Sequence, residues 1–349
     1  MYHYLSVMNS DEYFKIMEET GKFTYQIIDD YLNQIPEIGM RELVKTFIDG
    51  RLQNKRRLRS LLTRACYHIL TCDESREGWK KAKNLYAFAE LWLIADYLTN
   101  DVFDGKLDKC KTKLPKDNNL FFMASAIVRE LAQKVLNNAF EDFNTALEAR
   151  TEALNVFSEL VRDAYLHQWV DHAEKYKGET PEQLEEKLQE IYNKRYNLYQ
   201  AGNIFGHLLR ISGLTINPKK EKEIELLYQY GNKSSSKLQI VNDIADVAEN
   251  CYDAKNRILT FPLVLTIVRT GKNVYGLPPS EIKELFVKSG AFHECRKKAI
   301  GEMKKAKKVL RELSKLVEKD NLGIKLLNGF LVMARSNKYY KILRAYENG

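Results

Sequence analysis

Proline and glycine are scarce in this chain, with 7 prolines and 17 glycines among 349 residues. Both residues interrupt helices and strands, so their scarcity favours long helices over a sheet with many turns. The five cysteines, Cys66, Cys72, Cys110, Cys251 and Cys295, include no C-x-x-C pair. Their odd number and wide spacing argue against a disulfide framework or a zinc site, and they predict a reducing, cytoplasmic location.

Long uncharged apolar runs are also missing. No stretch approaches the roughly 18 residues needed to cross a bilayer, and the first residues lack the apolar segment of a signal peptide. The net charge of +8 is spread along the chain. A basic balance can indicate nucleic acid or an anionic membrane, but it also suits small polyanionic substrates such as diphosphates. We predict no transmembrane segment and no nucleic-acid partner.

Helical periodicity covers most of the sequence, and no convincing strand or low-complexity segment interrupts it. The pattern predicts one all-α domain over residues 1–349. The predicted helices include residues 10 to 35, Met40 to Gly50, residues 82 to 104 and Glu182 to Ser212. The periodicity is also helical from Leu120 to Lys175.

Two short acidic motifs share the pattern N-D-x-x-D. The first runs from Asn100 to Asp104 and the second from Asn242 to Asp246. Each follows an apolar helical run, and spacings of three and four residues fall on one helix face. Carboxylate and carboxamide oxygens are ligands that suit Mg2+. Two such helices facing each other would form a divalent-metal clamp inside a bundle; the alternative is two unrelated solvated helix faces.

A basic cluster, Lys55-Arg56-Arg57-Leu58-Arg59, lies just before an apolar helical run that begins at Ser60. Arginine matches phosphate oxygens bidentately, so this cluster is a candidate anion cradle. The alternative is a solvated, positively charged face.

Five segments occur in the order seen in the trans-isoprenyl diphosphate synthases, the polyprenyl synthetase family. They are Lys55–Ser60, Glu90–Asp104, His167–Asp171, Leu238–Asp246 and Asp253–Pro262. They resemble, in turn, the family's G-K-R-x-R-P start, its helix ending in D-D-x-x-D, its G-Q-x-x-D, its F-Q-I-x-D-D-x-x-D and its D-x-K-N-G-K-x-T-x-P. The resemblance covers residues 45–270.

This resemblance implies an isoprenoid-synthase-type helical bundle around a deep central cavity. In the family, Mg2+ held by two Asp-rich helices grips an allylic prenyl diphosphate. The diphosphate leaves, and isopentenyl diphosphate attacks the allylic carbocation. An apolar pocket protects the cation from water.

Carried over residue by residue, the resemblance assigns three groups of site residues. The implied metal ligands are Asn100, Asp101, Asp104, Asn242, Asp243, Asp246 and Asp171, of which Asp101, Asp104, Asp243 and Asp246 carry catalysis. The implied diphosphate contacts are Arg56, Arg57, Arg59, Lys109 and Gln239. The implied pocket residues are Ala95, Asp96 and Gln168.

The sequence also departs from the family pattern at several phosphate and metal positions. Asn100 and Asn242 replace the first Asp of each motif, and an amide oxygen brings no charge to a metal. Basic or polar family positions are occupied by Leu93, Cys110, Gln200, Ala201 and Ile258. Asp96 lies on the helix face of Asn100 and Asp104, where it either restores the missing charge or caps or pairs locally.

Three functions are compatible with this pattern. The family default is a prenyltransferase that uses Mg2+ and works as a homodimer or as a heterodimer with a related synthase. The loss of acceptor-binding positions favours a terpene synthase that cyclises the allylic cation or captures water. The Asn-for-Asp changes favour a non-catalytic partner of an active synthase.

Overall fold

The structure of the protein is a computed structural model. It describes residues 8–51, 58–73, 75, 77–105, 107, 117–332, 342–343 and 345–346, with the main chain alone for 50–51 and 200–203. Lys55, Arg56, Arg57, Lys109 and Cys110, which the sequence analysis singled out, lie outside the described residues.

The described residues form α-helices joined by short turns, with no strand among them. One isolated antiparallel bridge joins Lys175 and Ile258. The helices are α1 (Ser10–Leu32), α2 (Ile38–Arg51), α3 (Leu58–Thr71), α4 (Lys83–Phe103), α5 (Asn118–Phe143), α6 (Leu147–Ala173), α7 (Pro181–Asn193), α8 (Gln200–Ile216), α9 (Glu221–Glu249), α10 (Tyr252–Lys255), α11 (Phe261–Thr270), α12 (Pro279–Lys288), α13 (Ala291–Leu313) and α14 (Leu322–Val332). The all-α prediction is confirmed.

The contacts divide the chain into two compact units. The first unit comprises Met1–Phe157, Leu208–Leu227 and Arg311–Gly329, and the second comprises Ser158–His207, Tyr228–Leu310 and Phe330–Gly349. The first acidic motif belongs to the first unit and the second motif to the second. The prediction of one domain over the whole chain stays a prediction.

Helix α4 is deeply buried in the first unit, because it is apolar around most of its circumference. Its residues from Asn84 to Asp96 are all buried. It packs on α5, where the Ser125 hydroxyl donates to the Ala95 carbonyl oxygen at 2.7 Å and lies 2.6 Å from the Thr99 hydroxyl. The first acidic motif is therefore carried by the end of a rigid core helix.

Helices α8 and α9 approach backbone to backbone in the second unit. A Cβ built on Gly231 of α9 would lie 2.5 Å from the backbone nitrogen of Gly206 on α8. Such a distance is too short for a side chain, so glycine is required at the crossing. The contact fixes the position of α9 twelve residues before Asp243.

The predicted single helix from Glu182 to Ser212 is wrong. Helix α7 starts with a capping box, in which Thr180 bonds the Gln183 backbone and Gln183 bonds back. It then runs into a π-helical turn at Lys194–Leu198, which Tyr199 ends with φ −105° and ψ −149°. A π turn is wider than an α-helical turn by about one residue, and so local a shift in the apolar pattern is not recognisable in a single sequence.

The stretch from Leu120 to Lys175, whose periodicity is helical, is divided between two helices, α5 and α6. Asn144, with a left-handed φ of 49°, ends α5, and α6 begins at Leu147. Asparagine tolerates this conformation better than most residues, which gives it the role that glycine often has at helix ends.

Candidate functional site

Asp243 of the second motif lies at the centre of a buried polar cluster in the second unit. Its carboxylate is 2% exposed. Arg195, in the π-helical turn, donates from Nε to Oδ2 at 2.6 Å and from Nη2 to Oδ1 at 3.0 Å. This two-pronged contact is the strongest geometry for an arginine and a carboxylate. The carboxylate is therefore neutralised from within the chain.

Arg195 also contacts two further carboxylates. Its Nη1 donates to Asp171 Oδ1 at 2.5 Å, and its Nη2 lies 3.9 Å from Asp253 Oδ2. Burial would lower the pKa of Arg195, but the charges of Asp171 and Asp243 outweigh it and raise that pKa well above its usual value. The guanidinium is consequently charged at any physiological pH.

Two neutral donors complete the contacts of Asp243. The Tyr196 hydroxyl donates to Oδ2 at 2.5 Å, and Gln239 Nε2 donates to Oδ1 at 2.9 Å. Burial, and then the charge of Asp243, raise the pKa of Tyr196 well above its usual value, so the hydroxyl stays a donor. Asp243 therefore receives four hydrogen bonds, two on each oxygen.

The π-helical turn explains how neighbouring residues reach the same carboxylate. Arg195 and Tyr196 both lie within Lys194–Leu198, and both are buried. Ser236 of α9 donates its hydroxyl to the Tyr196 carbonyl oxygen at 2.5 Å. A π turn leaves some backbone groups without their usual α-helical partners, and side chains can take their place.

Asp246 and Asp253 form a second acidic pair beside this cluster. Asp246 accepts hydrogen bonds from the backbone nitrogens of Tyr252 at 2.9 Å and Asp253 at 3.0 Å. Burial raises the pKa of Asp246, with the charge of Asp243 adding to it, and these effects exceed the lowering by the two backbone bonds. Burial and the charge of Asp246 raise the pKa of Asp253 further. Both carboxyl groups therefore hold a proton more readily than an exposed aspartate does.

Two other residues predicted from the sequence lie near this cluster. Asp171 accepts from Arg195 and lies 3.4 Å from the Nε2 atom of His167. Burial would raise the pKa of Asp171, but electrostatic interactions with Arg195 and, after it, His167 hold that pKa below its usual range. Gln168 is buried as well. Asn242, by contrast, is exposed and does not share the buried position of Asp243.

The first motif is arranged differently, on the last turns of α4. Asn100 Nδ2 donates to Asp96 Oδ2 at 3.3 Å, which matches the local pairing considered for Asp96. The Asn100 carboxamide oxygen is buried and has no hydrogen-bond partner among the described residues. Asp101 is buried and Asp104 half-buried. An orphaned buried oxygen beside carboxylates fits a cation, because oxygen is the preferred ligand of Mg2+.

Other predicted residues occupy ordinary packing positions in the first unit. Ala95 is fully buried, and its carbonyl oxygen accepts from Ser125. Arg59 is half-buried, with its guanidinium 5.8 Å from the centre of the Tyr97 ring. Within the part of the chain that the structure describes, no three His, Cys, Asp or Glu side chains are grouped as a metal site. The predicted metal and diphosphate roles of these residues stay predictions.

Arg195, Tyr196 and Asp253 were missed as site residues by the sequence reasoning. Arg195 stands in a polar stretch, Asn193-Lys194-Arg195, which is typical of a solvated face. Its contact with Asp243 spans 48 residues. A usable signal was the aromatic neighbour, because Tyr192 and Tyr196 at a spacing of four mark this face of the helix as buried.

Comparisons with known proteins agree with this architecture. No family model matches the sequence, and no curated protein matches it. Several solved structures match its fold over nearly the whole chain. Geranylgeranyl pyrophosphate synthetase from Pyrococcus horikoshii Ot3 matches with a TM-score of 0.68 at 18% identity, covering 93% of this chain and 98% of that chain.

Two further matches were solved with ligands. Polyprenyl synthase from Caulobacter crescentus CB15, complexed with calcium and isoprenyl diphosphate, matches with a TM-score of 0.68 at 15% identity, covering 95% of this chain and 99% of that chain. Geranylgeranyl pyrophosphate synthase from Corynebacterium glutamicum, complexed with isoprenyl diphosphate and magnesium, matches with a TM-score of 0.68 at 13% identity. The match covers 95% of this chain and 100% of that chain.

The protein therefore has the all-α isoprenoid synthase fold. The resemblance to the trans-isoprenyl diphosphate synthases that its motifs suggest is confirmed at the level of the fold. None of the helices in the described residues is long and apolar enough to cross a membrane.

Proposed function

We propose that the protein is an isoprenyl diphosphate synthase-like enzyme that ionises an allylic prenyl diphosphate with the help of Mg2+ and then transfers the prenyl group. The observation that carries the proposal is the orphaned carboxamide oxygen of Asn100, next to Asp96 on a rigid core helix. Similar folds hold a divalent cation and isoprenyl diphosphate, which supports the same ligand classes here.

Asp96, Asn100 and Asp104 are spaced by four residues and share one face of α4, so they are the residues that would hold Mg2+ in the first unit. When bound, the ion supplies positive charge against the charge that grows on a departing diphosphate. The protein contributes by holding the side-chain oxygens of these three residues in place on a buried helix. A dry, apolar environment would protect an allylic cation from water, and the buried residues around Leu93 supply apolar surface.

Subunit pairing forms part of the proposal. Phe122, Met123 and Ile127 of α5 are between 39% and 48% exposed, on neighbouring turns of one helix. Exposed apolar side chains grouped in this way favour a subunit contact. We therefore propose a homodimer, or a heterodimer with a related synthase, which sedimentation of the purified protein with and without that synthase would test.

A second candidate function is a non-catalytic partner of an active synthase. The specific observation that favours it is the saturation of Asp243 by Arg195, Tyr196 and Gln239. An aspartate that already carries four hydrogen bonds has little capacity to serve as a catalytic metal ligand.

The deciding experiment is incubation of the purified protein with geranyl, farnesyl and geranylgeranyl diphosphates and Mg2+, with and without isopentenyl diphosphate. Products are identified by mass, and released diphosphate is measured. Chain-elongated products establish prenyl transfer, whereas cyclic or hydroxylated products formed without acceptor establish terpene synthesis. No diphosphate release from any substrate overturns the enzymatic proposal and supports the non-catalytic partner.

The matched variants are Asp104→Asn and Asp30→Asn. Asp104→Asn removes one charge from the first motif, and we expect a loss of about a hundredfold or more in diphosphate release, the size seen when one preorganised stabilising group is removed. Asp30 is an exposed aspartate of α1, so its variant should release diphosphate at the wild-type rate. Equal rates in both variants would contradict a metal role for the first motif.

A further inference from the structure

The second acidic motif already contains a cation, the guanidinium of Arg195. Two carboxylates, Asp171 and Asp243, are hydrogen-bonded to it, and Asp253 lies 3.9 Å away. Arg195 is 5% exposed, and it is the cation on which these three carboxylates converge. The positive charge that a divalent ion would bring to this motif is therefore present in the folded chain and covalently attached to it.

The acceptor sites of Asp243 are also filled. An ionised carboxylate offers about four acceptor sites in total, and Asp243 receives two hydrogen bonds on each oxygen. Mg2+ requires oxygen ligands at about 2.0–2.1 Å in near-octahedral geometry. To bind it, Asp243 would have to give up at least one donor and accept a dication next to a buried guanidinium. Like charges repel strongly in such surroundings. The second motif as folded does not fit a Mg2+ ion.

Arg195 is held in place by more than its charge. The π-helical turn that carries it is bonded to α9 through Ser236 and the Tyr196 carbonyl oxygen. Its planar fork matches two carboxylates at once, which a lysine ammonium cannot do. If the side chain moved away, buried Asp243 and half-buried Asp171 would both lose their counter-charge.

We infer that Arg195 is the resident cation of the second acidic motif and that this motif binds no divalent metal while Arg195 is in place. Asp243 then has a structural role, and divalent ions bind elsewhere in the chain. The statement about Arg195 stands without the proposed function; only the assignment of metal to the first motif rests on it.

The test counts Mn2+ ions bound to the purified full-length protein by electron paramagnetic resonance, which requires no substrate. In the wild-type background, Asp243→Asn should leave the number of bound ions unchanged. Arg195→Gln should add one Mn2+ ion per chain, and Asp243→Asn in that background should remove it. The control is Arg269→Gln, since Arg269 pairs with Glu294 in the same unit but is one-third exposed; it should add none.

Three results would overturn the inference. The first is the loss of one bound Mn2+ ion when Asp243→Asn is introduced into the wild type. The second is a folded Arg195→Gln variant that gains no ion. The third concerns an Arg195→Gln variant that is unfolded in metal-free buffer. We expect millimolar Mn2+ to restore its helical circular dichroism signal, and failure to restore that signal rejects the inference. A wild type that binds no Mn2+ at all would contradict the proposed function alone, because the gain in Arg195→Gln is still measurable.

Discussion

Replacing Arg195 by methionine should destabilise the protein far more than an ordinary surface change. Methionine keeps much of the side-chain volume and removes the charge, which leaves buried Asp243 and half-buried Asp171 without their shared partner. Removing one partner of a buried ion pair costs about 3–5 kcal/mol in free energy of unfolding. We expect the upper part of this range, because two carboxylates lose their counter-charge together.

The cost should also depend on pH in a definite direction. Burial would raise the pKa of Asp171, but Arg195 and His167 hold it below its usual range. A lowered pKa in the folded state contributes stability above the unfolded pKa, near 3.9, and this stability is lost as the pH falls through the folded value. Without Arg195 the effect of burial prevails for Asp171. The difference between variant and wild type should therefore be largest at neutral pH and shrink below about pH 4.

Urea unfolding followed by circular dichroism between pH 3.5 and 8 measures both effects. Arg269→Met is the control, because its pair with Glu294 is one-third exposed and such pairs contribute about 0–1 kcal/mol. A cost below about 1 kcal/mol for Arg195→Met, the level of an exposed pair, would refute the reasoning. A cost in unfolding free energy that is equal at pH 3.5 and pH 7 would show that the carboxylates are not what Arg195 stabilises.

Three further outcomes can be checked by the same unfolding measurements. Tyr196→Phe removes one bond to a charged acceptor and should cost about 1.5–3 kcal/mol; no loss would mean that Asp243 does not need this donor. Burial and then the charge of Asp246 raise the pKa of Asp253, so ionisation of this side chain opposes folding. Asp253→Asn should therefore stabilise the protein at pH 7. This gain should disappear below about pH 4, where the aspartate is protonated in the unfolded state as well. Gly231→Ala should lower the free energy of unfolding by about 1–3 kcal/mol or more through overpacking. Gly301→Ala, where a Cβ meets nothing within 4 Å, should raise it by about 0.5–1 kcal/mol. Similar effects at both glycines would contradict the close crossing of α8 and α9.

Local sequence patterns predicted the helices well where one periodicity runs without interruption. The expected helix over residues 82 to 104 is α4 at Lys83–Phe103, and the expected Met40–Gly50 helix is α2 at Ile38–Arg51. Apolar spacing and a turn signal at each end determine such helices, and both are visible in a single sequence. The one error, at Lys194–Leu198, is the widening of a single helical turn, which shifts the apolar pattern by only about one residue.

The candidate site was less predictable, because its chemistry depends on contacts between distant residues. The motif search identified Asp243 and Asp246 as acidic residues of α9, and Gln239 as a neighbour, but it could not show which groups bond them. Arg195 lies 48 residues before Asp243 in the sequence. A basic residue in a polar stretch carries no mark of burial. The role of Arg195 is visible only once the π-helical turn positions it.

The π-helical turn also suggests how readily the second motif could change its chemistry in evolution. Each residue of an α-helix turns the chain by roughly 100°, from about 3.6 residues per turn. Deletion of one residue within Lys194–Leu198 would shorten this turn to about α-helical length and rotate Arg195 relative to the residues that follow. Deletion of a single codon could therefore convert a motif that is occupied by the Arg195 guanidinium into one that binds a metal ion. The Mn2+ count of such a deletion variant, compared with that of Arg195→Gln, would show whether this route exists.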